Sequence, residues 1–173
     1  MTRAGARIVL WIGGARSGKS RLAQAQAEAM AGELIYVATG EPLDGEMAAR
    51  IARHRKDRGT RWRTMDAPIH LPEVIRREAA PGRVLLVDCL TLWLSNLMLG
   101  EHDLPVATHQ LIDALGEAQG PVLLVTNEVG MGIVPENALA RRFRDEAGRL
   151  NQRVAELATE VQLVAAGLAL RMK

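Results

Sequence analysis

At 173 residues the chain is long enough for one domain with one sizeable core, and its 48% hydrophobic and 24% charged residues are those of a soluble globular protein. A net charge of +2 gives no basis for a nucleic-acid partner, and the single cysteine, Cys89, forbids an internal disulfide and suits a reducing compartment. No apolar run reaches membrane-spanning length and the N-terminal run has no small-residue cleavage site, so a cytoplasmic protein with no membrane span is expected.

Short β-branched runs alternate with helical patterns along the chain. "RIVLWIG" (7–13) predicts a strand, followed by a helix over 19–30. "LIYVAT" (34–39) predicts the next strand, and helices follow over 44–56 and 71–79. "RVLLVDC" (83–89) is a strand leading into "LTLWLSNLMLG" (90–100), where core is the simpler reading for Trp93, Met98 and their neighbours and a subunit interface the other. The stretch 99–105 is loop-like, a helix follows over 104–117, and "PVLLVTNE" (121–128) is another strand. Over 136–159, Leu139, Phe143, Ala147, Leu150, Val154 and Leu157 recur at spacings of three and four, one apolar stripe of a helix, with Pro135 just before it where a missing N–H costs little. "VQLVAA" (161–166) is the last strand. Nearly continuous apolar strands alternating with helices predict an α/β fold, a single domain over 1–173 with a mostly parallel β-sheet flanked by helices.

Gly13, Gly14, Ala15, Arg16, Ser17, Gly18, Lys19 and Ser20 fit G-x-x-x-x-G-K-[ST], with an apolar strand before and a helix after, the context of a P-loop NTPase-type domain. Glycines let the backbone turn its N–H groups toward phosphate oxygens, and the following helix aims its positive end the same way. Lys19 can reach the β- and γ-phosphates during catalysis, and Ser20 can ligate Mg²⁺. The motif does not choose between ATP and GTP. Asp88, at the end of an apolar strand, is placed as the acid near the metal; Glu128 ends another strand on less ground, and capping the next helix is the alternative for each.

The stretch "EMAARIARHRKDRGTRW" clusters Arg50, Arg53, Arg55, Lys56, Arg58, Arg61 and Arg63 around His54. A solvated helix face is the plain reading on composition. The alternative is that the cations hold a triphosphate while a neutral imidazole attacks its α-phosphorus, forming a phosphoramidate and expelling pyrophosphate.

Three segments, "GGARSGKSR", "EMAARIARHRKDRGTRWRT" and "VTNEVGMGIVPENALARRFRDEAGRLNQRVAE", together resemble the bifunctional adenosylcobinamide kinase / adenosylcobinamide-phosphate guanylyltransferase family of cobalamin biosynthesis, over almost the whole chain. The third is the most specific, because plain P-loop kinases lack "TNEVGMGIVPEN". The resemblance implies two reactions. A nucleoside triphosphate, ATP or GTP, phosphorylates adenosylcobinamide; GTP then gives GMP to adenosylcobinamide phosphate through a guanylylated histidine, yielding adenosylcobinamide-GDP and pyrophosphate. It places that histidine at His54, lines the GTP site with Arg55, Lys56, Asp57 and Arg58, and sets Ala38, Thr39 and Gly40 beside the nucleotide. Asp88 matches an acidic nucleotide-site position, and Asp66 stands where the family more often has Glu, a shorter reach toward GTP. The family's trimers imply a homotrimer. The resemblance gives the segment around Gly130 and Gly132 no role; a bent loop over the site is the expectation. Two other classes fit the P-loop alone: a monofunctional small-molecule kinase, in which His54 has no role, and a nucleotide-binding regulatory module.

Overall fold

A computed structural model describes residues 5–173, apart from the side chains of Arg50, His54 and Asp57. The elements run β1 (Ile8–Gly13), α1 (Lys19–Glu28), β2 (Glu33–Ala38), α2 (Gly45–Arg58), β3 (Trp62–Asp66), α3 (Leu71–Glu78), β4 (Arg83–Asp88), α4 (Leu90–Leu99), α5 (Leu104–Glu117), β5 (Val122–Asn127), α6 (Ala138–Leu157), β6 (Glu160–Ala165) and β7 (Leu168–Arg171). They form one seven-stranded sheet in the order β3-β2-β4-β5-β1-β6-β7, parallel except for the β6–β7 pair. The expected α/β fold with a mostly parallel sheet is what the chain adopts.

The strands are apolar on both sides because both sides are covered. Ile8, Leu10, Ile35, Val37, Leu85, Val87, Val122 and Leu124 pack with residues of α3, α4, α5 and α6. The alternate residues, Val9, Trp11, Leu34, Tyr36, Val84, Leu86, Leu123 and Val125, pack with Ala23 and Ala27 of α1. The period of two therefore assigns a face to every strand-end residue. On the α1 face lie Gly13, Ala38, Asp88 and Asn127.

Three elements escape the sequence patterns for physical reasons. Helix α4 touches β5, α5 and α6, and apolar residues fill its half-buried positions Leu92 and Met98 as well as its buried ones, so its polar stripe shrinks to Ser95 and Asn96 and does not betray its period. Strand β3 carries polar residues because it is one of the two edge strands; its Arg63 pairs with Glu33 and Glu78. Strand β7 is four residues long and follows β6 through Ala166 and Gly167, both left-handed (φ 52° and 76°), the geometry of a two-residue hairpin turn.

The sheet order locates the site. From β1 the chain leaves through α1 to β2, beyond β4 and β5; from β5 it returns past β1, through α6, to β6 on the other side. Connections on opposite faces diverge at β1, which opens a crevice at the carboxyl ends of β1 and its neighbours. Trp93, which no solvent reaches, sits in the core on the sheet face opposite α1 and donates its indole N–H to the Ile69 carbonyl at 2.8 Å, so core is its place. Replacing it tests how far that face depends on its packing. Trp93→Ala is expected to lower unfolding free energy by about 3–5 kcal/mol, read from denaturant titration; a loss below 1 kcal/mol would mean that the site collapses around the missing ring.

Candidate active site

The loop after β1 is built to leave peptide N–H groups open. Arg16 and Gly18 both take positive φ, 56° and 98°, and Gly18 caps α1 with no side-chain hydrogen bond. By contrast α2, α5 and α6 begin with an Asp or Asn side chain accepting from the first turn. The first turn of α1 also lacks an acidic residue. Its N–H groups and positive end are thereby left for an external anion.

Close packing fixes the loop. A Cβ on Gly13 would stand 2.5 Å from the Val164 carbonyl oxygen of β6 and 2.7 Å from Ser17 Oγ, so only glycine fits. The Ser17 carbonyl accepts the Gly167 N–H at 2.7 Å, tying the loop to the β6–β7 turn. Lys19, nearly buried, folds its ammonium back onto the Gly14 carbonyl at 3.0 Å. The Ser17 hydroxyl is buried without a hydrogen-bond partner among the described residues.

The cleft gathers side chains from three directions. Lys19 and Ser20 come from the start of α1, Ala38 and Gly40 from the end of β2, and Asp88 and Asn127 from the ends of β4 and β5. Helix α2 covers one side with Met47, Ile51, Arg55 and Arg58, spaced four, four and three apart on one helical stripe. Cys89 and Leu92 close the side toward α4, and Tyr36 lies at the floor. The Arg58 guanidinium lies 3.4 Å above the centre of the Tyr36 ring, which meets Trp62 edge to face at 6.2 Å. Arg58 is only 8% exposed, and its buried Nε has no hydrogen-bond partner among the described residues.

Burial dominates the electrostatics. Burial, then the charge of Asp88, push the Tyr36 hydroxyl above its ordinary pKa, so it stays neutral. Burial also draws the Arg58 guanidinium below its ordinary range, while Tyr36 and Asp88 pull the other way. The Cys89 thiol is pushed up to about 11, first by burial and then by Asp88, which makes it an inert packing group at neutral pH.

Of the residues expected at the site, the cleft brings together Lys19, Ser20, Ala38, Gly40, Arg55, Arg58 and Asp88. Gly13, Gly14, Ala15, Arg16, Ser17 and Gly18 form the loop that leads into it, with Ala15 and Arg16 on its exposed side. Thr39 stands behind the wall instead. Its hydroxyl is fully buried, donating to the Cys89 carbonyl at 2.6 Å and accepting the Cys89 N–H at 2.8 Å. Asp66 and Lys56 lie outside the lining, and Asp66 holds Arg55 at 3.0 Å. The side chains of His54 and Asp57 lie outside the described residues, as does that of Arg50. Glu128 turns away from the cleft, its carboxylate accepting the Gly130 N–H. The loop after it is exposed and does not line the cleft; Ile133 is 97% exposed.

Sequence reasoning missed Tyr36, Met47, Ile51, Cys89, Leu92 and Asn127. Asn127 was findable, since it ends an apolar strand as Asp88 does. The Met47–Ile51–Arg55–Arg58 stripe was findable by helical period, but the density of cations hid it. Tyr36 was not, because one aromatic residue in an apolar strand reads as core.

Among the described residues no three His, Cys, Asp or Glu side chains converge. Mg²⁺ does not need such a cluster, since it keeps several waters and takes one or two protein ligands plus substrate phosphates. A hydroxyl and a carboxylate on one cleft, Ser20 and Asp88, fit that donor set.

Known proteins resemble this chain in sequence and in fold. The family model described as cobinamide kinase / cobinamide phosphate guanyltransferase matches residues 9–172. The bifunctional adenosylcobalamin biosynthesis protein CobP of Pseudomonas aeruginosa is 48% identical over 166 residues, covering 95% of this chain and 96% of that protein. The bifunctional adenosylcobalamin biosynthesis protein CobU of Escherichia coli K12 is 44% identical, covering 96% of this chain and 99% of its own length. Solved structures share the fold at low identity. A Pyrococcus horikoshii protein superposes with a TM-score of 0.55 at 8% identity, over 99% of this chain and 87% of that one. The type III secretion ATPase EscN of enteropathogenic E. coli gives 0.54 at 12% identity, over 94% of this chain and 43% of that one. With a family match spanning the P-loop, the cationic helix and the C-terminal strands, the chain belongs to the bifunctional cobinamide kinase / cobinamide phosphate guanyltransferase family.

Proposed function

We propose that the chain carries out both reactions of its family in this one cleft. In the first, the hydroxyl of adenosylcobinamide attacks the γ-phosphorus of ATP or GTP; the bond to the β-phosphate oxygen breaks and the nucleoside diphosphate leaves. In the second, His54 attacks the α-phosphorus of GTP, pyrophosphate leaves, and the phosphate of adenosylcobinamide phosphate displaces the imidazole to give adenosylcobinamide-GDP. The observation that carries this reading is the convergence of an uncapped helix start, Lys19, Ser20 and Asp88 with Arg55 and Arg58 of the cationic helix on one cleft. The first group suits β- and γ-phosphates. The second suits the charge that develops when an α-phosphorus is attacked.

Helix α2 is lightly held. Of its described side chains only Arg58 is buried, and Met47 and Ile51 are half-buried against the cleft. Gly59, at φ 72°, ends it. A helix so docked can shift while the loop after β1 stays fixed, which lets His54 serve the second step alone. Triphosphate substrates place the protein in the cytoplasm, and among the described residues no helix is long and apolar enough to cross a membrane.

Two variants separate the steps. His54→Ala is expected to keep γ-label transfer to adenosylcobinamide and to lose α-label retained on the protein from GTP. Lys19→Ala is expected to slow both by about 10²–10³-fold. Retention of α-label by folded His54→Ala would remove the covalent role, and loss of label with kinase activity untouched in Lys19→Ala would remove the shared phosphate site.

Mg²⁺ bound by the Ser20 hydroxyl, with Asp88 holding it directly or through water, would neutralise charge on the β- and γ-oxygens. Asp88→Asn is close to isosteric, so the variant should fold and need more Mg²⁺ for half-maximal rate. A metal titration that overlays the parent's would leave Asp88 as a strand-end cap.

A homotrimer also belongs to this reading. On the edge strand β7 Leu168 and Leu170 are exposed, as is Met172 just beyond it, and Met131, Ile133 and Val134 are exposed on the loop after β5. Apolar surface of that kind is ordinarily covered by a partner. Sedimentation equilibrium should report three chains per particle, and Leu170→Lys should shift the mass toward the monomer. A monomer at micromolar concentration would refute the trimer.

A further inference from the structure

Asn127 belongs to the "TNEVG" segment, to which neither the P-loop motif nor the cationic helix gives a role. Its place in the sheet is specific. Strand β5 lies between β1 and β4, so its end emerges between the phosphate loop and Asp88. Asn127 pairs with Gly13, the first glycine of the loop, while Asp88 pairs with Val125, two residues earlier. Asn127 thus stands beyond Asp88 along the strand direction and next to the loop. Leu123 and Val125 pack on the α1 face, so the period of two puts Asn127 on that face too, and its side chain lines the cleft with Lys19, Ser20 and Asp88.

The surrounding elements fix its backbone. Its N–H donates to Thr91 Oγ1 of α4 at 2.7 Å, and its carbonyl accepts from Asn151 Nδ2 of α6 at 3.3 Å. Asn151 is buried and is itself held by the Thr126 hydroxyl at 2.7 Å. Both backbone groups are satisfied by side chains from the opposite face of the sheet. No hydrogen bond of the Asn127 amide group itself is made among the described residues, although that amide faces a polar cleft. A neutral amide adds a donor toward phosphate oxygens without adding charge, where a second carboxylate beside Asp88 would repel them.

We propose that Asn127 is a further catalytic residue of the kinase step, its side-chain N–H donating to an oxygen of the terminal phosphate of the bound triphosphate. The inference rests on the proposed binding of a triphosphate in this cleft. A donor preorganised at that point strengthens as negative charge spreads over the transferring phosphoryl group, and a backbone tied at both groups keeps it in place. Thr91 and Asn151 act through Asn127 and are positioning residues.

The test compares the parent, Lys19→Ala, Asn127→Ala and Asn127→Asp in three measurements: γ-label transfer to adenosylcobinamide, ADP affinity, and affinity for a non-hydrolysable ATP analogue. Asn127→Ala is expected to lower kcat by about 10²-fold. It should weaken the analogue while leaving ADP affinity within about twofold, because ADP lacks the phosphate that the amide contacts. Asn127→Asp, nearly isosteric, should lose at least as much, through repulsion. Equal weakening of ADP and analogue, or a kcat within threefold of the parent in both Asn127 variants, would overturn the role of Asn127. If the parent transfers no γ-label and Lys19→Ala binds ADP as the parent does, the triphosphate reading falls first and the role of Asn127 with it.

Discussion

The structure turns on the way β1 ends. It is hydrogen-bonded on both sides, to β5 and to β6, through its last residue, Gly13. The chain must leave the sheet there in the space between two occupied strands, and the Val164 carbonyl leaves no room for a Cβ. It continues as a loop whose N–H groups have no partners in the sheet, and then as a helix whose start has no side-chain cap. The Gly167 N–H holds the Ser17 carbonyl from outside. Anion affinity at this place arises from backbone geometry that the sheet imposes, before any cationic side chain is considered. Strand β7, though the least buried element, matters here, because the hairpin that creates it supplies Gly167.

A second constraint is the charge balance around Asp88. From the α2 side the guanidinium of Arg58, stacked on Tyr36, feels the charge of Asp88. A guanidinium over an aromatic face keeps favourable electrostatics in a buried setting where an ammonium would lose more hydration. The Tyr36 ring thus anchors the end of α2 over the cleft. Its hydroxyl, kept neutral by burial and by Asp88, adds no charge.

Much of this was legible in the sequence, for particular reasons. Strands buried on both faces leave continuous apolar runs, so β1, β2, β4, β5 and β6 were visible, and the helix over 104–117 was read to the residue. Element α4 was not legible, because leucines and methionine occupy its less buried positions (Leu92, Met98, Leu99) as well as its buried ones, which blurs the polar face by which period is recognised. In the site, Lys19 and Ser20 follow from the phosphate-loop motif and Asp88 from its strand-end position, which the sheet order turns into proximity. Thr39 shows the limit of that rule. It sits one residue past Ala38, so the same pleat that aims Ala38 at the cleft turns Thr39 to the Cys89 backbone behind it. Neighbouring positions on a strand end have opposite fates, and a motif read as a block cannot distinguish them. Asp66 is similar: at the end of edge strand β3 it holds Arg55 rather than reaching the lining.

The two sides of the cleft differ in how firmly they are held, and this difference suits a site asked to act on two phosphorus atoms of one triphosphate. On the loop side, glycine contacts, the Ser17–Gly167 hydrogen bond and the tied backbone of Asn127 fix positions. Transfer of a terminal phosphoryl group asks mainly for such fixed donors, since the nucleophile comes with the substrate. On the other side, α2 rests on the stacked Arg58 and two half-buried apolar residues, while most of its surface faces solvent. Attack at the α-phosphorus asks the protein to bring its own nucleophile, then to withdraw far enough for the corrinoid phosphate to enter. Among the described residues of α2, the stacked Arg58 and the exposed Arg55–Asp66 pair are its polar ties to the sheet, contacts that can yield at less cost than a packed core. A deeply packed α2 would give a stiffer protein, and it would have to break core contacts at every turnover.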